Sequence, residues 1–355
     1  MNDPEQILTL GLFEKRIEGD DCLLELARRQ FVENQLGAEI HGGETQPLDY
    51  LLRFRPSLEL PVVIHLPRGF DLQDEATRRR ITDLAAHFAG RVHGLVVHDH
   101  PGLVSQRQKY RQAVEKLGRG LERIKQSPTL FIEYAVGLPL DEFAEFFAHI
   151  HYLPFVSACL DSGHIGIYVA RQFYSSQHAN EDICALKSLP PNLPSLMADV
   201  EAAMASALPA MLGLVRSVSS PAKPVHFHLH DGHPLSRVSP FGVADHLSFE
   251  AEIPLPFEHR GRRVSAPLYG PQGLTQIVAT ACQCAGPRMI SCTLEIHPTF
   301  ERLALGPNAP LFQHWIDKTN AEKMNHWLGV LLRNRALLSA AISRTKPQMT
   351  SSTGL

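Results

Sequence analysis

The chain has 355 residues, 34 Lys+Arg against 37 Asp+Glu for a net charge of −3, and 44% hydrophobic residues. That describes one large α/β domain or two ordinary ones with a well-filled core. No run approaches the ~18 consecutive apolar residues of a membrane helix, Met1-Asn2-Asp3-Pro4-Glu5 lacks the character of a signal peptide, and six scattered cysteines form no disulfide framework; a cytoplasmic chain with reduced thiols is expected, and the near-neutral balance argues against extended duplex nucleic-acid binding.

Short β-type runs alternate with longer helical patterns along the whole chain, the signature of parallel βα units. Strands are predicted at 8–13, 38–41, 61–65, 92–98, 129–133, 155–161, 225–230 and 289–295. Between them helices are predicted at 20–36, 74–89, 105–125, 140–151, 196–218 and 274–285, several of them closed by Gly or Pro. A last helix, 320–343, opens on the capping box Thr319-x-x-Glu322 and leaves a flexible tail at 344–355. Eight strands with intervening helices predict a single (β/α)8 TIM barrel over residues 1–343, with an insertion at 177–194 after strand 6 and an enlarged loop at 232–270 after strand 7.

Alternation assigns the faces of these strands, because residues two apart share a side. In Val225-His226-Phe227-His228-Leu229-His230 the three histidines oppose Phe227 and Leu229; Ser291, Thr293, Glu295 and His297 oppose Ile290, Cys292, Leu294 and Ile296; Ser157, Cys159 and Asp161 oppose Val156, Ala158 and Leu160. Polarity rises toward the carboxyl end each time, the end at which TIM barrels carry their active sites. The chain holds 19 histidines, roughly twice ordinary usage, and they gather at these ends. His65, His98, Glu133, Asp161 with His164, His228 and Glu295 put imidazole or carboxylate on six consecutive strands. Any one of them alone reads as a cap or a solvated side chain, Asp161-Ser162-Gly163 being an acceptable helix start; as a set they read as a metal site, since buried ionisable groups need partners. His41, His93, His149, His151, His178, His259, His314 and His326 read as surface or structural, and Cys282 and Cys284 as core or partly exposed thiols.

Leu160-Asp161-Ser162-Gly163-His164 resembles the Asp-x-Gly-His segment of the xylose isomerase-like TIM-barrel superfamily, which includes sugar isomerases, ketose 3-epimerases and endonuclease IV. His228-Leu229-His230-Asp231 is similar to its His-x-Lys/Asn-Asp strand end, and Ile132-Glu133 and Leu294-Glu295 to its strand-closing glutamates. The resemblance implies a divalent ion held by Glu133, Asp161, His228 and Glu295, with Mn²⁺, Mg²⁺, Co²⁺ and Zn²⁺ all compatible with that ligand mix. For the isomerase and epimerase branch it implies a sugar or sugar-phosphate substrate polarised by the ion, proton transfer by Glu133 and Glu295 next to the carbonyl, and a hydrogen bond from His164 to a substrate hydroxyl.

The endonuclease IV branch is the alternative. Pro61-Val62-Val63-Ile64-His65 resembles the strand carrying its early histidine ligand, and His98-Asp99-His100-Pro101-Gly102 its His-Pro-Gly segment. With Glu133, Asp161, His164, His228 and Glu295, this resemblance implies a second group of ligands, His65, His98 and His164, joined by Asp245 and His246 where that family has Asp-x-His. The chemistry implied is phosphoester hydrolysis by paired ions. Basic runs for a nucleic-acid partner are confined to Arg78-Arg79-Arg80, on a predicted helix, and Arg260-Gly261-Arg262-Arg263; the acidic balance favours a small molecule. A metal-binding accessory protein of biosynthesis is the third reading. The Gly232 to Gly270 loop would overhang the site as a lid, His230 departs from the usual Lys or Asn, and Arg237 is the nearest arginine after His228. Oligomeric state leaves no mark in the sequence.

Overall fold

The structure, a computed structural model, describes residues 7–12, 20–179, 181–183, 193–220, 222–234, 238–239, 242–243, 246–250, 253–259, 262–266, 268–296 and 319–345. In chain order the first half comprises β1 (Leu8–Leu12), α1 (Asp21–Glu33), β2 (Gly37–His41), α2 (Thr45–Leu51), β3 (Val62–His65), α3 (Glu75–His87), β4 (Gly94–His98), α4 (Gly102–Ser105), α5 (Arg107–Glu122) and β5 (Thr129–Glu133). The second half continues with α6 (Leu140–His149), β6 (Val156–Asp161), α7 (Ser162–Gln177), α8 (Leu193–Val218) and β7 (Val225–Leu229). Two short hairpins, β8 (Val238–Ser239) with β9 (Gly242–Val243) and β10 (Ile253–His259) with β11 (Arg262–Ala266), precede α9 (Gly270–Ala285), β12 (Ile290–Leu294) and α10 (Asn320–Thr345).

Eight strands pair in the order β1-β12-β7-β6-β5-β4-β3-β2 and close on β1, all in parallel. This is the predicted (β/α)8 barrel. Every predicted strand is present, because a parallel strand covered by helices must bury its outer residues continuously while the inner ones alternate with them. Elements the sequence did not reveal are α2, the short α4 ahead of the predicted 105–125 helix, the whole of α7, and the hairpins inside the 232–270 loop. The capping box forms as predicted: the Glu322 carboxylate accepts from the Thr319 amide, and the Thr319 hydroxyl accepts from the Glu322 amide. α8 contains a segment, Ala198–Val218, long and apolar enough to cross a membrane; in the fold it packs against α7 and α9 and buries Val200, Ala203, Ala207, Met211 and Val215.

The alternation produces two separate apolar bodies. Outward strand residues such as Ile64, Val97, Ile132, Leu160, Phe227 and Leu294 join the helices in one continuous core. Inside the barrel, Leu10, Val63, Val96, Phe131 and Cys159 form a second, smaller cluster. Gly94 makes room for it, since a Cβ there would stand 2.5 Å from the Phe131 ring. This plug fills the amino-terminal half of the barrel interior and makes the carboxyl-terminal half the floor of a mouth.

The strand ends are tied to the segments that leave them. The Asp161 carboxylate accepts the His164 amide at 2.8 Å and so caps α7. Asp231, just beyond β7, accepts the amides of Gly232 at 2.7 Å, Leu268 at 2.8 Å and Gly270 at 2.8 Å, while its backbone pairs with Leu247. It faces away from the mouth and joins the end of β7 to the start of α9.

Candidate metal centre

Residues two positions apart on the inner face change character within one step. Val63 is followed by His65, Val96 by His98, Phe131 by Glu133 and Cys159 by Asp161, and all eight are buried. β5 ends on Glu133, whose two carboxylate oxygens look in different directions. Oε2 lies 3.0 Å from His65 Nε2 and 3.2 Å from His98 Nε2. Oε1 lies 3.4 Å from His228 Nδ1 and 3.9 Å from His164 Nδ1. His228 Nδ1 in turn stands 3.0 Å from Glu295 Oε2 and 3.9 Å from Asp161 Oδ2. Thus the structure brings Glu133, Asp161, His164, His228 and Glu295 together with His65 and His98. His246 joins them, its Nδ1 3.6 Å from Glu295 Oε2. Asp245 lies outside the described residues, as do His297, Arg237 and the first part of the Arg260-Gly261 run.

The donor chemistry fits a cation. A backbone carbonyl only accepts, so the ring nitrogen bonded to it carries the hydrogen. His65 Nδ1 bonds the Leu66 carbonyl at 3.0 Å, His230 Nδ1 the Asp231 carbonyl at 2.9 Å, and His246 Nδ1 the Glu295 carbonyl at 3.0 Å. In a neutral ring each then keeps its lone pair on Nε2. That is the arrangement by which proteins orient metal-ligating histidines. His65 and His230 point those Nε2 atoms at the carboxylates of Glu133 and Asp161. His228 offers a second sign: Nδ1 sits among three carboxylates and Nε2 faces Glu39, yet neither nitrogen is aligned for a hydrogen bond. Among the described residues, neither ring nitrogen of buried His164 has a hydrogen-bond partner. Six groups among the described residues have ligand atoms within 4.8 Å of one another, close enough to share an ion; among them are His65, His98 and Glu133; His65, His228 and Glu295; His164, His230 and His246; Glu39, His41 and His65; and Cys159, His226 and His228.

The electrostatics are those of interlocked opposite charges. Burial alone would raise the Glu133 carboxyl, but His98, His228 and His65 hold it well below the usual carboxylate range. Burial presses His98 down to about 4, with Glu133 opposing, so its ring is neutral and available as a ligand. His228 is driven the other way: burial disfavours its charge, and the surrounding acids, Glu39 and Glu295 among them, raise it well above 6.5. His230 is lifted to about 9 against its own burial by Asp161.

Three participants were not singled out from the sequence. Glu39, on β2, is fully buried and lies 3.1 Å from His228 Nε2. His230, a departure from the family pattern, belongs to the all-imidazole group, and its ring occupies the space a side chain at Gly163 would need, a Cβ there standing 2.0 Å from Cε1. His41, expected to be surface or structural, is half-buried at the mouth and stacks on His65 with centroids 4.6 Å apart. The period-2 alternation was the available signal, since Glu39 and His41 share the inner face of β2. Cys282 and Cys284 are partly exposed free thiols away from the mouth, as expected. Arg78-Arg79-Arg80 is absorbed locally: Arg78 donates to the Leu72 and Gln73 carbonyls, Arg79 pairs with Glu75, and Arg80 donates to the Gly43 carbonyl.

Fold and site together define a (β/α)8 barrel whose carboxyl-terminal mouth is lined with buried groups able to hold metal ions. No family model and no curated protein matches the chain. Among solved structures it is similar to AsfvAP:AG, at 14% identity over 95% of this chain and 99% of that one, with a TM-score of 0.47. A chitinase from Chromobacterium violaceum matches at 11% identity over 93% and 99% of the two chains, TM-score 0.39. The carboxyl transferase domain of Rhizobium etli pyruvate carboxylase, with pyruvate and biocytin, matches at 10% identity over 95% of this chain and 49% of that one, TM-score 0.37.

Proposed function

We propose that the protein is a metal-dependent phosphoester hydrolase with more than one ion at the barrel mouth. The observation that carries this reading is the division of Glu133: one oxygen faces His65 and His98, the other faces His228 and His164. A carboxylate split in this way is suited to bridge two ion positions. A single-ion isomerase site built from Glu133, Asp161, His228 and Glu295 would leave His65, His98, His230 and His246 buried without a task. Bound divalent ions supply positive charge for the phosphoryl oxygens and lower the pKa of a water molecule.

The chain's own residues do the rest. Glu133, Asp161 and Glu295 provide the negative charge that draws cations into a buried site. The backbone carbonyls of Leu66, Asp231 and Glu295 fix the rings of His65, His230 and His246. The plug beneath, with Phe131 at its centre, excludes water from below. Of the metals compatible with the family resemblance, Zn²⁺ suits a mouth this rich in imidazole. A small phosphorylated substrate suits the chain better than extended nucleic acid, since the net charge is −3 and the Arg78-Arg79-Arg80 run is engaged in local bonds.

Elemental analysis of the purified chain, paired with hydrolysis of bis(p-nitrophenyl) phosphate, p-nitrophenyl phosphate and an abasic oligonucleotide, tests the reading. More than one ion per chain and chelator-sensitive hydrolysis are expected. One ion, no hydrolysis and solvent deuterium entering a ketose would replace this reading with sugar isomerisation; stoichiometric metal with neither activity would leave the accessory role.

A further inference from the structure

The mouth has a layer beneath it that the proposed chemistry does not use. Glu39 projects inward from β2, with its carboxylate buried between the ligand-bearing level and the apolar plug. Its Oε1 lies 3.1 Å from His228 Nε2, the ring nitrogen opposite the one facing Glu133, Asp161 and Glu295. Its Oε2 accepts a hydrogen bond from the Thr293 hydroxyl and lies 3.5 Å from His226 Nε2. His226 is held from its other side, Nδ1 being 2.7 Å from the Ser291 hydroxyl oxygen. Thr293 is the register partner of His228 on the neighbouring strand, so hydroxyl, carboxylate and imidazole meet at one level of the barrel.

We propose that Glu39 is a positioning residue: with Thr293 and His226 holding it, its carboxylate keeps the hydrogen of His228 on Nε2 and so leaves the Nδ1 lone pair aimed at the metal position between Glu133, Asp161 and Glu295. The physics is that of a ring with two nitrogens and, when neutral, one hydrogen. A carboxylate has no hydrogen to offer, so once an ion takes the Nδ1 lone pair the hydrogen of the neutral ring lies on Nε2, facing Glu39 at 3.1 Å. Without that anion, the same ring would place its hydrogen on Nδ1, where three other carboxylates wait to accept it, and the ligand would be lost. Carboxylates set behind metal-bound histidines in this way also raise the ligand's basicity, and their removal weakens metal binding typically by about 10–100-fold. The assignment rests on the reading of the mouth as a metal centre and says nothing of which ester is cleaved.

The test compares the full-length chain with Glu39→Gln and Thr293→Val, using Zn²⁺ and Mn²⁺ titrated against a chelating dye, and ¹⁵N spectra of the histidine rings in Zn²⁺-loaded protein. In the unmodified chain His228 is expected to show hydrogen on Nε2. In Glu39→Gln the ring is expected to populate the other tautomer, and affinity to fall by about 10–100-fold while the number of ions bound at saturation stays unchanged. Thr293→Val, which leaves Glu39 in place but unanchored, should move both readouts in the same direction by less. Unchanged affinity in a folded Glu39→Gln chain would overturn the assignment, and so would loss of a whole ion at saturation, since that marks a direct ligand. Should Glu39→Gln fail to fold, Thr293→Val decides: unaltered tautomer and affinity overturn the proposal. A chain that binds metal in a Glu39-dependent way yet hydrolyses no phosphoester sustains this inference and removes the proposed function. A chain that binds no ion removes both.

Discussion

The two halves of the barrel interior are built from the same strands, yet they obey opposite rules. In the amino-terminal half the inner residues are Leu10, Val63, Val96, Phe131 and Cys159, packed against one another. One inward position later the residues are His65, His98, Glu133 and Asp161, buried equally well. The lower half gains from removing apolar surface from water; the upper half gives up that gain and holds ionisable groups that are costly to bury alone. What the contrast teaches is that a two-residue step along a strand is enough to pass from scaffold to chemistry. The mouth is held in shape by a floor that takes no part in it.

Substitutions on either side of that step should separate metal binding from stability. The largest effect is expected at Glu133: Glu133→Ala removes the carboxylate shared by two groups of imidazoles, so elemental analysis should show more than one ion lost. Phosphoester turnover should fall by roughly 10³-fold or more. Full metal content in that variant would break the idea of a bridging carboxylate. Next comes Phe131→Ala, two residues back on the same strand. It should cost about 3–5 kcal/mol of stability by denaturant unfolding while leaving the ion count at saturation intact. If metal is lost along with stability, the floor and the mouth are not separable.

A smaller effect belongs to Asp99, beside the mouth. Its carboxyl accepts the Ala135 and Val136 amides at 3.1 and 2.8 Å, but burial outweighs them and raises it from 3.8 to about 8. A carboxyl raised on folding contributes its full stability below the unfolded value near 3.8 and loses it as pH climbs through about 8. Asp99→Asn keeps the accepting oxygen and has no proton to lose. It should therefore match the unmodified chain at about pH 4 and melt roughly 2–4 °C higher at about pH 9. Equal melting temperatures across that range would mean the carboxyl is ionised in the fold without penalty. The smallest effect is expected outside the barrel altogether. Arg79→Ala removes an exposed pair with Glu75 on α3 and should change stability by less than about 0.5 kcal/mol, with metal binding and hydrolysis untouched.

How much of this was legible depends on how far each signal reaches along the chain. The barrel was readable because each strand announces itself within a few residues, and the inward set His65, His98, Glu133, Asp161, His228 and Glu295 was readable because alternation fixes the face once the strand is known. Glu39 shows where that stops. It alternates correctly in Gly37-Ala38-Glu39-Ile40-His41, but its meaning lies in His228, a partner brought near only by closure of the barrel. His230 and His246 stack at 4.0 Å across a long loop, again a contact without local trace. The hairpins of the 232–270 region escaped for a different reason: short strands that pair with each other outside the barrel sheet leave no βα repeat to read.

Asp231 bears on how the molecule can change. Because its carboxylate grips Gly232 at one end and Leu268 and Gly270 at the other, the long excursion between β7 and α9 leaves and returns through a single fixed collar. Apart from residues 246–249, where His246 reaches the mouth and Leu247 and Phe249 are buried in the core, the excursion can change length at modest loop-closure cost without disturbing the strands below. His246 is the point at which the excursion reaches back into the mouth, packed against His164 and His230, so the long loop is anchored both at its collar and at the ion-holding groups themselves.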